Sequence, residues 1–230
     1  MTSAPRGTRS TLVAAIAAAA SLGLFVPLAA EAWQEDVSTW DAKVSRGLHG
    51  SEVRSLLNSR IDVLDLVLHP AVQLVGLLVV VTVFLLLASQ GRLRLALMIG
   101  VAVGGILVFE PILKNLFARP PVESDGSGYT FPSGSAMRSM AAAASLTVAA
   151  WPTRWRWPTA LLGALVVGLI GIAVVYHSWH WTSDVLGGWC VSVAWVAAVW
   201  LAFRPLPPVE APRKWTAYFR LPRREAKERA

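Results

Sequence analysis

Only one of the 230 residues is cysteine, Cys190, so the chain forms no internal disulfide, and that thiol reads as a small packing residue inside an apolar run. Charge is equally sparse, at 15% of residues against 55% hydrophobic, with a mean hydropathy of +0.53. Those proportions exclude an ordinary soluble domain. Four histidines spread along the chain assemble no Cys/His metal spacing, and there is no glycine-rich phosphate loop and no internal repeat. No cofactor and no metal are therefore expected.

What is present is a series of apolar runs long enough to cross about 30 Å of hydrocarbon at about 1.5 Å per helical residue. Five run near Val72 to Ser89, Leu93 to Leu113, Ser135 to Trp151, Thr159 to Tyr176 and Val185 to Phe203. A sixth, Thr11 to Ala30, reads as an uncleaved span. A secretory signal is the alternative, because Leu28-Ala29-Ala30-Glu31-Ala32 offers small residues near a cleavage point. The expected fold is all-α, a polytopic bundle of six transmembrane helices over residues 1–204, followed by a basic tail over 205–230.

Arginine placement sets the orientation. Arg6 and Arg9, Arg92 and Arg94, Arg154 and Arg156, and the tail from Arg204 all fall on one side. By the positive-inside rule that side, with both termini, is cytoplasmic. The segment from Glu31 to Leu66 holds seven acidic residues against four basic ones, and lies outside. Within it, Val53, Leu56, Leu57, Ile61, Leu64 and Leu68 are spaced for an amphipathic connecting helix. The net charge of +7 then reflects topology and attraction to anionic lipid, and nucleic acid is not an expected partner. Trp151, Trp155, Trp157, Trp179, Trp181 and Trp200 near the span ends suit an aromatic belt.

Polar chemistry collects on the outer face. His180 and Asp184, four apart, share a helix face on which the acid can fix the imidazole tautomer. Ionisable groups at such positions are costly and mark sites. The preceding outer loop begins Lys114-Asn115-Leu116-Phe117-Ala118-Arg119-Pro120-Pro121 and ends Phe131-Pro132-Ser133-Gly134-Ser135. Cations together with a Ser-Gly step opening a helix suit phosphate oxygens, and a histidine backed by a carboxylate suits nucleophilic attack. Glu110 is placed to pair with Lys114 or Arg138, and His177 is a further candidate proton donor or phosphate contact.

Over residues 114 to 188 these motifs resemble the type 2 phosphatidic acid phosphatases (PAP2), or lipid phosphate phosphatases, which are related to vanadium haloperoxidases. That family's pattern is Lys, six residues, Arg-Pro; then Pro-Ser-Gly-His; then Ser-Arg, five residues, His, three residues, Asp. Lys114, Pro132, Ser133, Gly134, His180 and Asp184 fall on motif positions, and Ser183-Asp184-Val185-Leu186-Gly187-Gly188 continues in the family manner. The departures are Pro121 and Val174 where the family has its arginines, Ala173 at the preceding serine and Ser135 at the histidine.

The resemblance implies that His180 attacks phosphorus, that Asp184 holds the ring, and that a phosphohistidine is then hydrolysed. Lys114, Ser133, Gly134 and Ser135 would face the phosphate, with Arg119 or Arg138 compensating for the lost arginines. The partner implied is a phosphorylated lipid in the bilayer. Because the leaving-group acid is absent, a diphosphate such as a polyprenyl diphosphate is the expected substrate over phosphatidic acid. The alternative is an impaired relative that binds or moves phosphorylated lipids without cleaving them. Halogenation fits poorly, since vanadate needs a dense cationic cradle.

Overall fold

The computed structural model describes residues 6–34, 39–48, 61–122 and 128–204. There the apolar runs become helices, with no strand among the described residues. They are α1 (Arg6–Trp33), α2 (Thr39–Leu48), α3 (Ile61–Leu68), α4 (Pro70–Ser89), α5 (Leu93–Phe117), α6 (Gly134–Ala150), α7 (Arg156–Tyr176) and α8 (Thr182–Phe203). The tail over 205–230 and the part of the expected amphipathic helix before Ile61 lie outside the described residues.

Local chemistry sets the helix ends. Pro70 opens α4, where its missing N–H costs no helical bond, and His69 Nδ1 accepts the Ala71 N–H at 3.2 Å. Gly91, at φ 73°, turns the chain between α4 and α5 through a conformation that favours glycine.

Five helices, α1, α4, α5, α7 and α8, are long and apolar enough to cross a membrane. Their outward faces stay exposed, as at Leu74, Leu78, Leu161 and Leu165, which is the surface lipid tails cover. The expected span from Ser135 to Trp151 is the 17-residue α6, about 26 Å long and so the shortest of the six. It is also among the most enclosed, packed against α5, α7 and α8. Ala136, Ala141 and Ser145 are wholly buried there, and such small side chains let helix backbones approach closely.

α8 is the central contact, lying against α1, α5 and α6. Ser192 Oγ donates to the Met137 carbonyl at 2.9 Å, and Trp195 Nε1 donates to the Ala102 carbonyl at 3.0 Å. A core of Ile99, Ala102, Ile106, Met137, Ala141, Val196 and Val199 fills the space between α5, α6 and α8.

α1 continues through Leu28-Ala29-Ala30-Glu31-Ala32 without a break. Its Phe25 stacks on Phe131 at a 5.8 Å centroid distance and meets Phe117 edge-on at 6.0 Å. These rings pack α1 against the end of the bundle at which α5 finishes and α6 begins.

Candidate functional site

Two loops meet at that end of the bundle. α5 stops at Ala118, whose left-handed φ of 49° is uncommon for a residue with a Cβ. Its N–H still donates to the Lys114 carbonyl at 2.9 Å, and the next side chain, Arg119, is buried. Thr130 secures the turn: its N–H donates to the Arg119 carbonyl at 3.1 Å and its hydroxyl to the Pro120 carbonyl at 3.2 Å.

In the other loop, the Trp179 and His180 N–H groups both donate to the Val174 carbonyl, at 3.0 and 3.2 Å. Val174 therefore contributes its backbone to placing His180. Its side chain, at the family's arginine position, is fully buried among Leu64, Ala136 and Val185.

A buried polar network lies behind His180. Asp184 caps the first turn of α8 by accepting the Trp181 N–H on Oδ2 at 2.9 Å. Its Oδ1 accepts from Arg119 Nη1 at 2.7 Å, and the same Nη1 lies 2.7 Å from Ser183 Oγ. A second carboxylate, Asp41 of α2, accepts the Ser183 N–H at 3.1 Å and the Ser183 hydroxyl, and lies 3.6 Å from Arg119 Nη2. Arg119 is 1% exposed, and Asp41 and Asp184 are both at 0%.

Desolvated charges of this kind persist only when paired and hydrogen-bonded. Among the described residues, two carboxylates share this one guanidinium beside His180, whose Nδ1 lies 3.5 Å from Asp184 Oδ2. That is ion-pair distance, longer than an N–H···O hydrogen bond. Asp41 thus shares Arg119 with Asp184, so the guanidinium is not given to Asp184 alone.

The second region lies across the Ser133-Gly134 turn. Glu110 Oε1 is 3.5 Å from Lys114 Nζ, one turn on along α5, and Glu110 Oε2 accepts from Arg138 of α6. Glu110 also reaches Gly134, where an added Cβ would fall 1.8 Å from Oε1. Only glycine admits the carboxylate at the start of α6.

Ser133 Oγ is fully buried and has no hydrogen-bond partner, while Ser135 is half-buried on the first turn. The two regions are joined through the backbone, since the Ser133 N–H donates to the Asp184 carbonyl at 3.0 Å. That bond requires close helices. A Cβ on Gly188 would fall 2.8 Å from the Ser133 carbonyl oxygen.

Lys114, Gly134 and Arg138 are thus brought together around Glu110, and His180 and Asp184 around the buried network. Arg119, expected at the phosphate, instead has its guanidinium among Asp184, Ser183 and Asp41. His177 Nε2 lies 3.0 Å from Asp65 Oδ1 of α3, outside both groups. Asp41 and Ser183 were not singled out from the sequence. Asp41 is one of many acids in an external segment, and 142 positions separate it from Ser183.

No curated protein matches the chain. The crystal structure of the first transmembrane PAP2 type phosphatidylglycerolphosphate phosphatase from Bacillus subtilis is similar at a TM-score of 0.46 and 19% identity, over 79% of this chain and 93% of that one. The family model of the PAP2 superfamily matches residues 93–207, a stretch that holds both loops, α6, α7 and α8. This multi-pass membrane protein belongs to the PAP2 superfamily.

Proposed function

We propose that the protein is a lipid phosphatase whose site opens on the extracytoplasmic face, the side opposite its basic loops. His180 attacks phosphorus with its outer ring nitrogen, and Asp184 steadies the imidazolium that forms. Water then hydrolyses the phosphohistidine. Lys114, Arg138, the Ser133 hydroxyl and the first-turn amides at Gly134 and Ser135 receive the phosphoryl oxygens and stabilise the developing charge. Arg119 acts through Asp184 by holding the carboxylate in place.

The observation that carries this reading is the Ser133 N–H bond to the Asp184 carbonyl. It connects the anion-binding turn to the first turn of α8, which begins two residues after His180. Proximity of this kind is a large share of enzymatic rate acceleration.

Ser135 supplies no strong acid to the leaving oxygen. General acid catalysis is worth about 10² to 10⁴ in rate, so a substrate whose leaving group departs without protonation is favoured. A phosphate leaving group, with an ionisation near pKa ~6, meets that need and a lipid alkoxide does not. Purified protein should release phosphate from a polyprenyl diphosphate at least about 100-fold faster, as kcat/KM, than from phosphatidic acid. His180→Ala should abolish both activities. Preference for phosphatidic acid would overturn the diphosphate assignment, and activity in His180→Ala would overturn the mechanism.

Two observations favour the second reading, a protein that binds or moves phosphorylated lipids. The His180 to Asp184 separation is 3.5 Å, and neither motif arginine is present. Lipid binding that survives His180→Ala, in a wild type that releases no phosphate from either lipid, would establish it.

A further inference from the structure

Three features that bind phosphate converge on one point: an α5 lysine, an α6 arginine and the N-terminal turn of α6. A carboxylate of the chain itself already occupies that point. Glu110 gives one oxygen to Lys114 at 3.5 Å and the other to Arg138. It lies against Gly134 so closely that a Cβ there would be 1.8 Å away. Glu110 is 15% exposed on its side chain, Lys114 26% and Arg138 39%, so the group is open enough to exchange its anion. At the residue before Gly134, the buried Ser133 hydroxyl has no hydrogen-bond partner.

The geometry points to Glu110 as an internal ligand that stands in for phosphate in the resting site and is displaced when a phosphoryl group enters. This rests on the phosphate-binding reading above and adds an affinity-setting residue to it. Its chemistry follows from charge. Lys114, Arg138 and Glu110 sum to one positive charge, where the two cations alone would give two. A carboxylate and a phosphate oxygen accept the same charge-assisted hydrogen bonds, so each entering anion must first release Glu110 from both cations. The same competition runs in reverse after hydrolysis. As orthophosphate leaves, the carboxylate returns to Lys114 and Arg138 and opposes rebinding of product. Glu110 therefore weakens phosphate affinity, and the site turns over without being held by its own product.

The test is direct binding of orthophosphate to the purified full-length protein in detergent, by isothermal titration, with Lys114→Ala measured alongside. Glu110→Gln keeps the side-chain shape and removes the charge. It should tighten orthophosphate binding by at least about tenfold, the change in equilibrium constant that a single strong contact produces. Glu110→Ala shares the lost charge and should move affinity in the same direction, so the test survives if one variant fails to fold. If binding weakens or stays unchanged in the Glu110 variants while Lys114→Ala weakens it, Glu110 only anchors the two cations and this inference falls alone. If none of the variants changes orthophosphate binding, the phosphate reading of the cradle falls with it.

Discussion

Asp184 and Glu110 are two carboxylates that each bind an arginine beside the first turn of a helix, yet their surroundings differ in one respect, water. Asp184 is wholly buried, accepts from Arg119 and a backbone N–H, and shares its arginine with Asp41. Glu110 is paired with two cations that are partly exposed. A desolvated pair has no alternative partner, and removing either member strands a charge. A partly exposed pair can exchange its anion for water or for a ligand at small cost. The first arrangement suits a fixed part of the framework behind His180, and the second suits a site that must empty and refill.

The sharpest way to break that contrast is to remove each arginine. Arg119→Leu removes the guanidinium that Asp41 and Asp184 share, and should destabilise the protein by about 3–5 kcal/mol, read as a large fall in thermal unfolding temperature in detergent. Next in size, Asp41→Asn takes a charged acceptor from Ser183 and frees Arg119 to neutralise Asp184. It should cost about 1–3 kcal/mol and lower kcat more than KM, because the nucleophile loses its steadying charge while the anion cradle is untouched. A pure KM effect would show that Asp41 does not act through Asp184. Smallest is Arg138→Leu, expected to change stability by less than about 1 kcal/mol while weakening orthophosphate binding. If its cost in unfolding temperature equals that of Arg119→Leu, the two regions are alike and the distinction fails.

The helices were legible because lipid imposes a simple rule, long apolar runs with charges at their ends, and α4, α5, α7 and α8 follow it. α6 was legible as a helix, though its alanine-rich sequence does not reveal that α5, α7 and α8 enclose it. The pairing of Glu110 with Lys114 follows from helical spacing, four residues on one face. Its bond to Arg138 on another helix does not, nor does its approach to Gly134, which depends on how α5 and α6 pack.

Arg119 shows the limit most clearly. Its position beside Lys114 suggests a phosphate ligand, and its burial is decided by the left-handed turn at Ala118 and by an acid on α2 far away in sequence. Motif spacing carries no information about either. Val174 is similar: the family pattern marks a missing arginine, and the structure gives the position a backbone role in holding His180.

Asp41 also has a consequence for the order in which the protein is made. It lies well before residues 93–207, the stretch that defines the family, and leaves the ribosome 142 residues ahead of Ser183. During synthesis this carboxylate waits, hydrated, while α4, α5, α6, α7 and α8 are made. Only when the last of them delivers Ser183 and Asp184, with Arg119 already in place, can it be desolvated at tolerable cost. Completion of the final helix and closure of the site are then one event. A chain begun at residue 93 would carry the whole stretch matched to the family and still lack the acid of α2 that meets Arg119.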